Sequence, residues 1–451
     1  MEHHRVVACD EKALARGVRP GMGAAAATAL APQLVLHPRD PGEETESLLG
    51  LAGWAAQFTP SVALDWPDGL VLEVSGSLRL FRGLARIVAA LREGCAGTGF
   101  TALVAAAPTA RGAAWLASAG RERLITDPAQ LETALAGLPV RVLARDAALL
   151  EALAAIGVTR VADVLGLPRA GLARRFGQPL LNDLDRALGR LPDPRAFFAP
   201  PPTFRARLEL PAEATQAEAL VFAARRLFVQ LEGYLAARAA GVRGLVLKLL
   251  HRENRFTAVP IGCVAPNRDA AHFTALARER LGTFVLPAPV RSLALAADDI
   301  VPHAGATAAL FADGPSAPGD WERLVERLRA RLGAAAVHGV AVAADHRPER
   351  ASLAREPAVT TRAVHAALPD LAFRPFWLLP APQPLDEVDA MPHHGGPLRL
   401  LAGPERIESG WWDGAEVTRD YFVAQAADRS LVWVYRSRRV PGGWFLHGLF
   451  A

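Results

Sequence analysis

Apolar positions recur at helical spacing from Glu43 to Phe58, where Leu48, Leu49, Leu51, Ala52 and Ala55 share one face. A shorter helical pattern around Lys12–Arg16 ends at Gly17. Two runs with strand character, Ser61–Leu64 and Leu70–Val74, are parted by the turn Asp65-Trp66-Pro67-Asp68-Gly69. A helix near Leu84–Leu91, a strand over Phe100–Ala105 and a helix over Ala110–Ala119 follow. This alternation predicts an α/β or α+β layer whose sheet is covered on one face.

From 147 to 190 the pattern turns helical throughout. Ala148–Ala155, the turn Ile156-Gly157-Val158, Arg160–Leu165 and a further helix opening at Pro168 follow one another. Helix, hydrophobic-Gly-hydrophobic turn and helix is the order of a helix–hairpin–helix, whose turn N–H groups can hold a phosphate without reading sequence. Only Gly157 of the motif's two glycines is present, so an ordinary helical hairpin stays open. Pro192, Pro194 and Pro200–Pro202 mark a stiff linker.

Residues 203–297 spell β-α-β-β-α-β. Phe204–Leu210 alternates, Gln216–Arg238 is a long amphipathic helix and Val242–His251 with Phe256–Cys263 makes a hairpin. Ala270–Leu281 is a helix, and Val290–Ala296 alternates again. Arg205, Arg207, Arg243, Lys248, His251, Arg252, Arg255 and Arg291 lie in or beside these strands. Some of them fall on one sheet face, as a nucleic-acid footprint or as a solvated face without a ligand. Asp298–Asp320 has the composition of a flexible connector and contains the apolar island Ala309-Leu310-Phe311. A helix and a strand are expected over 321–345. The last 80 or so residues carry Trp411, Trp412, Tyr421, Phe422, Trp433, Tyr435, Trp444, Phe445 and Phe450, either a small β core or an exposed protein-binding surface.

Composition adds limits rather than an activity. The 451 residues, 51% hydrophobic and 21% charged, suffice for three or four soluble domains. No stretch has the length and apolarity of a membrane span, and Met1–Arg5 opens no signal peptide. Cys9, Cys95 and Cys263 are isolated, which argues against disulfides and structural zinc and for a cytoplasmic protein. The net charge is only +4, but Lys12 and Lys248 are the sole lysines, so the positive charge is almost all arginine. Codon usage explains this as readily as phosphate contacts do.

Ordered blocks of the chain resemble Y-family DNA polymerases. Ala15-Arg16-Gly17-Val18-Arg19-Pro20-Gly21-Met22 is similar to their fingers, and Asp68–Ser75 to the palm segment that bears an adjacent Asp-Glu pair. Ala107-Pro108 with Ala114–Ser118 resembles the next palm strand and helix. The helical unit resembles the thumb, and the β-α-β-β-α-β unit the little finger. In the tail, Asp345–Arg350, Arg374–Pro380, Gly403–Trp412 and Trp444–Phe450 are similar to ImuB-type proteins, noncatalytic Y-family homologues of bacterial mutagenesis cassettes. The implied fold class is α+β and multidomain. It comprises partial fingers and palm over 1–140 (N-terminally truncated), a helix-hairpin-helix thumb over 141–195 and a DNA-binding little finger over 203–297. A connector over 298–320 and a partner-binding region with aromatic-rich β structure over 321–451 complete it.

The resemblance also implies that polymerase chemistry is lost. Two Mg²⁺ ions need converging carboxylates, but the Asp-Glu pair reads Asp68-Gly69, a degenerate remnant. The early strand that bears another carboxylate in active relatives would lie upstream of the given sequence, through truncation, a displaced start or loss. Glu11 and Leu14 stand where a nucleotide-gripping Tyr and Arg are expected, and Trp115 where active relatives carry a lysine. Asp65, Asp68 and Glu73 are weighed as a substitute metal cluster, with Glu73 read as structural. No cofactor is expected. The alternative is an active DNA-directed polymerase whose first strand is missing from the given sequence, which would require Mg²⁺.

What remains is a scaffold. The expected partners are damaged or primed DNA, the sliding clamp, an ImuA-like RecA-related protein and an error-prone polymerase III α-subunit homologue, with no membrane. DNA-binding candidates are Gly157, Arg205, Arg207, Arg243, Lys248, Arg252 and Arg255. Clamp-binding candidates are Leu310 and Phe311, and partner-binding candidates are Trp411, Trp412, Trp444 and Phe445.

Overall fold

The computed structural model describes residues 5–143, 146–303, 320–357 and 374–450. They form two compact units, split between Pro315 and Ser316. In the first, α1 (Glu11–Ala15), α2 (Ala24–Leu30), α3 (Pro41–Ala55), the hairpin β1 (Val62–Asp65) and β2 (Gly69–Leu72), α4 (Leu84–Gly97) and α5 (Ala110–Ser118) come first. Asp40 caps α3 by accepting the Gly42 and Glu43 N–H groups, and Pro41 fills the first turn, where a missing N–H costs nothing.

Trp54 on α3 is the centre of this part. Beside it lie Phe58, Val62, Ile87 and Cys95. A Cβ built on Gly94 of α4 or on Gly233 of a later helix would overlap the indole ring. Only glycine lets both backbones come this close to one side chain.

The strand expected over Phe100–Ala105 does not form. A strand needs a neighbour for its backbone groups. Here the Val104 N–H goes to the Glu122 carboxylate at 3.1 Å, and only Ala106 bridges Leu124.

The helical unit is α6 (Leu131–Ala136), α7 (Ala147–Ala154), α8 (Val161–Leu165), α9 (Arg169–Phe176) and α10 (Gln178–Ala187). Leu135, Leu153, Val164, Leu172 and Leu184 fill its core, and Trp115 of α5 is buried among them. The proline-rich linker is tied down. The Phe198 N–H donates to the Val62 carbonyl at 2.7 Å and the Tyr234 hydroxyl to the Pro201 carbonyl at 2.6 Å.

After the linker the expected order holds: β3 (Phe204–Ala214), α11 (Ala217–Ala236), β4 (Ala240–Leu250), β5 (Phe256–Asn267), α12 (Ala270–Gly282) and β6 (Val290–Ala297). The strands run antiparallel in the order β3-β6-β4-β5, and β7 (Ile300–Pro302) adds to β4. The connector expected from Asp298 therefore opens with a strand. Leu247, Leu249, Val259, Ile261, Leu293 and Leu295 are buried, as are Leu227, Phe228 and Leu231 of α11 and Phe273 of α12. Alternation leaves the other sheet face open.

The second unit holds α13 (Asp320–Leu332), the ribbon β8 (Gly339–Val342) with β9 (Ser352–Arg355), and six antiparallel strands. These are β10 (Trp377–Val388), β11 (Met391–His393), β12 (Arg399–Ser409), β13 (Val417–Gln425), β14 (Leu431–Ser437) and β15 (Gly443–Leu449), ordered β11-β10-β15-β14-β13-β12. Alternate residues feed two cores, Val432, Val434, Trp444 and Leu446 in one and Tyr421, Trp433 and Tyr435 in the other.

Candidate nucleic-acid interface and polymerase-site remnant

Asp68 is exposed in the turn between β1 and β2, and Gly69 pairs with Asp65 across the hairpin. A Cβ at Gly69 would stand 3.0 Å from the Asp65 carbonyl oxygen, so a larger residue would press on that backbone. The Asp65 carboxylate is already engaged. Arg195, from the linker, donates to it at 2.9 Å and to Asp193 at 3.0 Å. Burial works against the arginine's charge, but its hydrogen bonds to Asp65 and Asp193 outweigh that and hold its pKa above the usual value. Glu73 accepts the Ser75 N–H at 2.9 Å. Among the described residues, no cluster with metal-ligand geometry includes Asp65, Asp68 or Glu73.

Glu11 lies exposed in the first turn of α1, and Leu14 is also exposed. Trp115, only 5% exposed, serves the helical core rather than a nucleotide.

Gly157 has φ +78°, which turns the chain between α7 and α8. The donors of that turn are spent. Ile156, Gly157 and Val158 donate back to Leu153 and Ala154 carbonyls, and Val161 donates to Leu138. Thr159 and Arg160 both donate to the Asp163 carboxylate at 2.9 Å. A phosphate would have to displace that carboxylate, so the phosphate role read from Gly157 is replaced by a turn-forming one.

The sheet brings several expected cations together. Register places Arg205, Ala296, Val246 and Pro260 in one row of the open face and Arg207, Ala294, Lys248 and Ala258 in the next. Arg207 and Lys248 stand two strands apart, about 10 Å. Small side chains between them leave the surface flat. Arg205 pairs with Asp298, Arg207 with Glu209 and Arg252 with Glu213, all exposed contacts of little strength. Among the described residues Arg243 and Arg255 carry no ion pair, and both are exposed. His251 is excluded from the surface: its ring bridges Pro289 and Thr257 at 3.0 and 2.9 Å.

The impB/mucB/samB family model matches residues 1–119. Protein ImuB of Caulobacter vibrioides (strain NA1000 / CB15N) is 31% identical over 459 aligned positions, covering 96% of this chain and all of that protein. The chain belongs to the ImuB family. The ImuB protein of C. vibrioides strain ATCC 19089 gives the same values. Among solved structures, a DinB-family error-prone DNA polymerase from Sulfolobus solfataricus is 14% identical, with 66% of this chain and 90% of that one covered and a TM-score of 0.37. Membership of the ImuB family accounts for the α+β multidomain class and for the tail blocks together.

In that ImuB-type tail the four aromatic candidates separate. Trp411 and Trp412 are 76% and 59% exposed, with ring centroids 5.5 Å apart at 86°. Their loop is pinned by Arg347, which is 2% exposed and uses all five N–H donors. It donates to Asp345 at 3.0 and 2.6 Å, to Asp413 at 3.0 and 2.7 Å and to the Ala415 carbonyl at 3.1 Å. These bonds hold the Asp345 carboxyl down at about 2 and that of Asp413 well below its ordinary value. Trp444 and Phe445 are no partner surface. They lie on the interior strand β15, Trp444 4% exposed and Phe445 stacked on Tyr435 at 5.1 Å. Leu310 and Phe311 lie outside the described residues. Sequence patterns gave no hint that Arg195 reaches Asp65 or that Arg347 reaches Asp413, since those partners are distant in the chain.

Proposed function

We propose that this chain is a DNA-binding scaffold of damage-induced mutagenesis and translesion synthesis that adds no nucleotides itself. One observation carries the reading: beside Gly69, the carboxylate that remains next to the Asp-Glu remnant is held by the Arg195 guanidinium. In-line phosphoryl transfer needs hard cations clamped by converging carboxylates. Here the Asp65 carboxylate is committed to a fixed organic cation, and a scaffold role needs no Mg²⁺.

DNA binding falls to the open sheet face, where Arg205, Arg207 and Lys248 offer phosphate contacts without a pocket for any base sequence. Arg252 and Arg255 extend the positive edge at the β4–β5 hairpin, and Arg243 is a further exposed cation on β4. The sliding clamp docks on Leu310 and Phe311. The exposed pair Trp411 and Trp412 receives a protein partner, the ImuA-like RecA-related protein or the error-prone polymerase III α-subunit homologue. The protein works in the cytoplasm; among the described residues no helix is long and apolar enough to cross a membrane.

The test is primer extension by the full chain on a primed template that it demonstrably binds, with all four nucleotides and Mg²⁺ or Mn²⁺. No extension is expected. Extension that disappears in Asp68→Ala would overturn the scaffold in favour of an active polymerase. For the clamp, Leu310→Ala with Phe311→Ala is expected to abolish clamp binding and spare DNA affinity. Unchanged clamp affinity removes this site.

A further inference from the structure

The open sheet face carries an exposed aromatic side chain that phosphate binding leaves unused. Phe256 opens β5, pairs with Leu250 and therefore points to the same face as Lys248. It is 57% exposed, although a phenyl ring of this size is worth burying. Its surroundings keep it standing clear. Ala258 and Pro260 follow it on that side of the edge strand, and Ala294 and Ala296 line the same face on β6. The Lys248 ammonium lies 5.2 Å from the ring centroid, and the exposed Arg255 is its chain neighbour. Arg252 stands in the same hairpin, at an open cleft shared with Arg291 and the Leu210–Glu213 segment of β3.

We propose that Phe256 is a stacking platform for an unpaired nucleobase, so that this face prefers single-stranded nucleic acid to duplex. A ring with cations on its flank suits a strand whose base is free to lie on it while the adjoining phosphates meet Lys248, Arg255 and Arg252. Duplex DNA keeps its bases stacked on one another and offers the ring nothing but a backbone. Every base has a flat face, so the preference is for unpaired structure and not for sequence. The proposal rests on the reading of this face as the DNA interface and specifies which form of DNA it takes.

The experiment uses the full chain with labelled oligothymidylate and a mixed-sequence duplex of equal length, measured by fluorescence anisotropy at fixed salt. Phe256→Ala is expected to lose about tenfold or more in affinity for oligothymidylate and little for the duplex. Phe256→Trp is expected to keep or tighten single-strand binding, and Phe256→Leu to lose it, which separates stacking from simple apolar contact. The ring is exposed, so the three variants are expected to melt with the parent. An Arg205→Ala, Arg207→Ala double variant tests the underlying reading. If it weakens both probes while Phe256→Ala weakens neither, or weakens both equally, the stacking platform is overturned and the DNA face stands. If the double variant changes neither probe, the DNA face itself falls. Single-strand affinity retained in Phe256→Ala alongside loss of a protein partner would assign the ring to that partner instead.

Discussion

At the scale of single residues, what decides function is which charges have already found partners. The Asp68-Gly69 pair can be read in the sequence because it is a local string in a turn, whereas Arg195 meets Asp65 across 130 residues and leaves no local pattern. The aromatic strings show the same limit. Trp411-Trp412 and Trp444-Phe445 read alike, and only strand membership separates an exposed pair from a core one. Trp411→Ala with Trp412→Ala is therefore expected to weaken a partner pull-down with an unchanged melting temperature. Trp444→Ala should cost about 3–5 kcal/mol in denaturant titrations. Gly410, at φ +86°, abuts Arg347 and the Ala415 carbonyl, so Gly410→Ala should destabilise the second unit by about 1 kcal/mol or more. The Arg347 pin also sets an acid limit. An unfolded Asp titrates near 3.9 and Asp345 in the fold at about 2, so its contribution is complete above roughly pH 4 and is lost as pH falls through 2. Near-ultraviolet circular dichroism of the Trp411–Trp412 loop across that window reads it directly.

At the scale of elements, periodicity located most helices and strands because amphipathic faces repeat within the segment itself. Helix α3, the β1–β2 hairpin and the β-α-β-β-α-β order all emerged this way. Phe100–Ala105 has strand composition but lacks a partner strand, and pairing is not written in a segment's own residues. The succession of helix, Gly157 turn and helix was equally readable, while the use of the Thr159 and Arg160 N–H groups by Asp163 was not. Helix packing depends on glycines whose meaning is purely spatial. Gly233→Ala would push a methyl into the Trp54 indole and should cost about 1–3 kcal/mol, measured by urea unfolding of the full chain. A cost near zero would mean that the helices shift apart without penalty.

At the scale of the molecule, a net charge of only +4 hides a face on which cations are gathered by strand register. Affinity for duplex DNA should fall steeply with salt. Replacing Arg205, Arg207 and Lys248 together by Ala should flatten the log–log slope by about three, one for each phosphate contact removed. An unchanged slope would place the contacts elsewhere. The order of helices and strands was readable from the sequence, but the way the segments are joined was not. Trp54 of α3 is seated between a glycine of α4 and a glycine of α11, and so joins the segment before the helical unit to the β-α-β-β-α-β unit. Positions 54, 94 and 233 therefore share a single allowance of volume. Across the family's sequences these three should change in concert, with a smaller residue at 54 wherever 94 or 233 has acquired a side chain. A drifting lineage would have to pass through a destabilised intermediate to alter any one of them.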